Sequence, residues 1–147
     1  MAYHEFNSVA EYLTALDQAI DDAMSTTMAD KAAEAMQKSM DEYVYDRTPL
    51  YDNRRGDAGG LRAKYNLSPS YFPAAKTLMV EAVAPWQNKG FRYIDGRGTY
   101  GGDLSDVIEN NGLYHMDATH FAQHAEEDYG NKRAEKDLQH AIIIRGF

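Results

Sequence analysis

The chain has 147 residues, 44% of them hydrophobic and 26% charged, with a formal net charge of −8. That length and balance fit one globular domain, spanning residues 1–147, and argue against disorder of the whole chain. The absence of cysteine excludes disulfides, zinc–thiolate centres and thiol nucleophiles, and the acidic balance argues against sequence-reading of DNA.

The start, Met1 to Val9, lacks a charged segment followed by an apolar one, so no signal peptide is expected. No apolar run approaches the roughly 20 residues of a membrane span, so no membrane partner is expected either. Eleven tyrosines against five phenylalanines and one tryptophan put many amphipathic rings on the chain, which suits surfaces that become covered on association.

Ser8 and Glu11 fit the ends of a capping box that opens the first element. Beyond it, Val9, Leu13, Leu16, Ile20, Ala23, Met28, Ala35, Met36, Met40 and Val44 recur at helical spacing. Neither glycine nor proline interrupts residues 8 to 46. The spacing predicts one helix, about 55 Å long if continuous. A break is expected near Ser25-Thr26-Thr27, where helix propensity is poorest, unless the helix projects onto a neighbouring chain. Its stripe is rich in Ala and Met, which suits close and adaptable helix contacts. Thr48-Pro49 stops the helix.

The next segment, YDNRRGDAGGLRAKYNL, carries Arg55-Gly56-Asp57. Its glycines predict a turn with positive φ rather than a displayed adhesion signal. Alternation from Leu61 to Leu67 predicts a strand, SPSYFPAA a proline-bearing loop, and KTLMVEAVA a second strand ended by Pro85. In that second strand Leu78, Val80, Ala82 and Ala84 alternate against Thr77, Met79, Glu81 and Val83. Gly90 to Gly102 is expected to be a long loop that contacts something. Asp103 caps a short helix closed by Gly112, and Thr119 opens another. Asn131 to Leu138 is expected to be helical, and Ile142-Ile143-Ile144 to form a strand or a docking tail.

Candidate chemistry is sparse. His120 and His124 lie four residues apart, and with His115 they are the candidate metal ligands, to which Asp117 and Glu127 could add. The stretch reads HFAQH rather than HExxH. No GxSxG, P-loop or GxGxxG occurs, so no catalytic residues and no cofactor are assigned. Acidic pairs such as Asp21-Asp22 and Glu126-Glu127 read as solvated helix faces.

The order of these motifs resembles the small neck and tail-completion proteins of long-tailed bacteriophages. The resemblance rests on the turn formed by Tyr51, Arg54, Arg55, Gly59, Gly60 and Leu61. It rests equally on the Leu104, Ile108, Glu109, Gly112 helix that precedes Tyr114. The Gly90–Gly102 loop and the Ile-rich C-terminal segment depart from that pattern.

The resemblance implies an α+β fold, a long N-terminal helix packed on a small antiparallel sheet with short helices in the C-terminal half. It implies a non-enzymatic virion structural protein, assembled in the host cytoplasm into a homo-oligomeric ring at the head–tail junction. Neck, portal or tail proteins would be its partners, and DNA would pass through the channel without specific binding. Tyr51, Arg54, Arg55, Trp86, Phe91 and Tyr100 are the expected contact residues between subunits. The alternatives are a metal-dependent hydrolase using His115, His120 and His124, or a regulatory binding protein absent from virions.

Overall fold

The computed structural model describes residues 4–45, 66–83, 93–95, 98–100 and 119–147. Its architecture is α+β, with a long N-terminal helix, a two-stranded antiparallel ribbon and short C-terminal helices.

The N-terminal rod runs without interruption through α1 (Val9–Ala23), a π-helical stretch (Met24–Met28), α2 (Ala29–Met40) and a second π stretch (Asp41–Tyr45). Ser8 caps it, its hydroxyl accepting from the Glu11 N–H at 3.1 Å. The Glu11 carboxylate reaches back one residue further than a capping box requires, to the Asn7 N–H at 2.9 Å.

The predicted break at Ser25-Thr26-Thr27 becomes a change of pitch. The Ser25 and Thr26 hydroxyls donate to the carbonyls of Asp21 and Asp22 at 2.8 and 2.6 Å, competing with the helical ladder. The ladder widens to a π turn there, and the rod continues.

Strand β1 (Leu67–Phe72) pairs antiparallel with β2 (Thr77–Ala82), from Leu67 opposite Ala82 to Phe72 opposite Thr77. The expected alternation of β2 is observed, and it defines an inner side. Leu78, Val80 and Ala82 are half-buried while Thr77, Met79 and Glu81 are exposed.

The first strand corrects the sequence reading. It occupies much of the expected proline-bearing loop, and the alternating run 61–65 lies outside the described residues. Pro69 is tolerated because its nitrogen faces away from β2. The bond from the Val83 N–H to the Asn66 carbonyl, at 2.7 Å, fixes the alternation of the ladder and leaves Pro69 opposite Val80 in a non-hydrogen-bonded pair. The connection Pro73–Ala75 is a 3-10 turn, closed by Lys76 at φ 49°.

A second ribbon pairs β3 (Tyr93–Asp95) with β4 (Gly98–Tyr100), Asp95 opposite Gly98. Residues expected to be an irregular loop are thus a short hairpin. An Asp-Gly dipeptide followed by a second glycine is a hairpin signal as well as a loop signal.

The chain closes with α3 (Phe121–Ala125), a π stretch (Glu126–Gly130) and α4 (Ala134–Ile144). His120, at φ 50°, stands where Thr119 was expected to start α3. The isoleucine run is the last turn of α4 rather than a strand or tail. The preceding AEKDLQHA is made of good helix formers, and propagation is favourable once a helix is nucleated.

The core lies where α2, α3 and the inner face of the β1–β2 ribbon meet. Met36, Met40, Val44, Leu67, Phe121 and Ala125 form it, with Val80 and Ala82 packed against them. The buried Ser39 hydroxyl donates to the Phe121 carbonyl, which ties α2 to the start of α3. A separate seam of alanines, Ala19 and Ala23 on α1 and Ala141 on α4, brings the two helices together.

Candidate interaction surfaces

The rod carries different neighbours on different sides. At about 100° per residue, Asp17 and Asp21 share one side of α1, and Ala19 and Ala23 lie nearly opposite. The acidic side receives the tip of the β1–β2 hairpin, and the alanine side receives α4.

The hairpin tip is held by a polar clasp. The Lys76 ammonium lies 2.8 Å from an Asp17 carboxylate oxygen and 2.6 Å from Asp21 Oδ1. The Tyr71 hydroxyl donates to that same Asp21 oxygen at 2.6 Å. The hydrogen bond from Lys76, then that from Tyr71, holds the Asp21 carboxyl below its ordinary pKa. The two carboxylates push the Lys76 ammonium up. Burial, then the bond to Asp21, pushes up the Tyr71 phenol. The left-handed backbone at Lys76 aims the side chain at the rod, so turn geometry and ion pairing support each other. A cleft of about 440 Å³ opens beside the clasp, between Tyr71, Pro69 and Leu78 on the ribbon and Asp22, Ser25 and Ala29 on the rod.

Asp21 therefore corrects the reading of Asp21-Asp22 as a purely solvated pair. Asp22 is exposed and supplies its backbone carbonyl to Thr26, whereas Asp21 fastens an element 50 residues away in sequence. Tyr71 and Lys76 carried no sequence signal of their own, because Tyr71 lay within the expected loop and Lys76 opened the expected second strand.

On the other side, Arg145 fastens α4 to the rod. Its guanidinium donates to the Thr26 and Thr27 hydroxyls at 3.2 and 3.3 Å and to the Ala141 carbonyl at 2.8 Å. The chain ends meet beside it. His4 Nε2 lies 2.8 Å from the Arg145 carbonyl oxygen, and Phe6 stacks on Phe147 with ring centroids 5.8 Å apart. Tyr12 meets Phe6 edge-on at 5.3 Å.

A third contact joins the end of the rod to α3. The Tyr43 and His124 rings stack at 3.8 Å and 6°. The Tyr43 hydroxyl donates to Asp128 at 3.3 Å, and His124 Nδ1 lies 3.7 Å from Glu127. Nearby, the Tyr129 hydroxyl donates to Asp137 at 2.8 Å, and burial, then that bond, raises its pKa.

Helical spacing placed His120 and His124 one turn apart, and the His124 N–H does bond the His120 carbonyl at 2.9 Å. Their side chains have different settings. His120 is exposed at the helix start, and His124 lies flat on Tyr43. No group of three or more His, Cys, Asp or Glu side chains able to hold a metal occurs among the described residues. His115 lies outside them, as do Tyr51, Arg54, Arg55, Trp86 and Phe91. Tyr100 ends β4, and its side chain is likewise outside the description.

The large apolar side chains left exposed fall into two groups. Val9 and Leu13 on α1 and Ile143 and Ile144 on α4 form one, with Val9 73% and Leu13 55% exposed. Phe72, Met79 and Val83, on or beside the ribbon's outer face, form the other. No helix among the described residues is long and apolar enough to cross a membrane. The chain matches no family model, no curated protein and no solved structure.

Proposed function

We propose that this chain is a virion structural protein of a tailed bacteriophage, one subunit of a ring at the head–tail junction. One observation carries the reading beyond the motif resemblance. Large apolar side chains stay exposed on unlike elements, Val9 and Leu13 at the start of the rod, Ile143 and Ile144 at the end of α4, and Phe72 and Met79 on the ribbon.

A closed ring is built from heterologous contacts, in which a patch on one copy meets a different patch on the next. A subunit for such a ring needs two unlike surfaces. Here the helices offer exposed aliphatic side chains, Val9 and Leu13 on α1 and Ile143 and Ile144 on α4, and the ribbon offers a face with Phe72 and Met79. The expected contacts through Tyr51, Arg54, Arg55, Trp86, Phe91 and Tyr100 belong to the same proposal. The net charge of −8 suits a channel wall, because like charge lets DNA slide rather than stick.

Mass spectrometry of purified particles, with light scattering on the isolated protein, tests this. The expected result is a fixed low copy number per particle and a closed oligomer in solution or on assembly. Absence from particles would overturn the proposal. Tight DNA binding by the isolated protein at physiological salt would overturn the reading of the acidic surface as a channel wall.

A further inference from the structure

We draw no further inference here: the strongest candidate, the cleft of about 440 Å³ between the rod and the β1–β2 ribbon where Asp21, Asp22 and Ser25 face Pro69, Tyr71 and Leu78, is an acidic cluster whose Asp21 is already taken by Lys76 and Tyr71, and nothing in the structure shows what covers it.

Discussion

The two halves of the rod make the most instructive contrast in the molecule. Both α1 and α2 repeat apolar residues at helical spacing, and neither contains glycine or proline. Yet α2 buries Ala29, Met36, Ser39 and Met40, with Met40 fully covered, while α1 buries only Ala19 and Ala23. The residues that open α1, Val9 and Leu13, face solvent. Periodicity specifies which side of a helix is apolar. It does not specify whether the same chain supplies the cover. For α2, the ribbon and α3 provide it. For the start of α1, the Phe6 and Phe147 rings meet Tyr12 among the described residues, and the proposed ring contacts would supply further cover.

Deleting the Phe121 side chain should have the largest effect. It is 1% exposed and plugs the core beneath α2, so Phe121→Ala should cost about 3–5 kcal/mol, read by urea unfolding. A much smaller loss would mean that α2 is covered less completely than its burial indicates, and the contrast would weaken.

Leu13→Ser tests the other half. Its side chain leaves little contact behind, so unfolding of the monomer should change by no more than about 0.5 kcal/mol. Assembly into a closed oligomer, followed by light scattering, should be lost. A strongly destabilised monomer would show that the start of α1 is covered within the subunit after all.

The smallest effect concerns the clasp. Asp21 is held below its ordinary pKa, first by the bond from Lys76 and then by that from Tyr71. A carboxyl depressed in the folded state contributes stability above its unfolded pKa and loses it as pH falls through the folded value. Protection of the hairpin-tip amides should therefore persist through the ordinary carboxylate range, about pH 4, and fade only in stronger acid. In Lys76→Met, the Asp21 carboxyl should titrate closer to its ordinary value, observable by NMR. An unchanged Asp21 titration would show that the clasp does not hold the tip in solution.

Much of this architecture was legible without coordinates. The capping residue Ser8, the helical stripe, the alternation of β2 and the helix beyond Thr119 all follow from local rules, whereas the break expected at Ser25-Thr26-Thr27 is a π turn in a continuous rod. The misreadings share a cause. Pro69 and its neighbours read as a loop, but a proline is harmless in a strand where its nitrogen points off the sheet edge, and that depends on a register fixed by Asn66 and Val83. Ile142 to Ile144 was read by β-propensity, and the helix already running from Ala134 outweighed it. Asp21 and Asp22 are identical in type and adjacent, so nothing local separates the one that clasps Lys76 from the one that faces water.

Local chemistry by itself determined that this chain is an α+β protein built on one long amphipathic helix, because spacing, caps and the absence of breakers act within a few residues of one another. Only the tertiary structure decided which side of that helix each later element takes and which of two adjacent carboxylates becomes a fastener. Those outcomes depend on residues 50 or more positions apart meeting in space, and a one-dimensional pattern carries no term for that meeting.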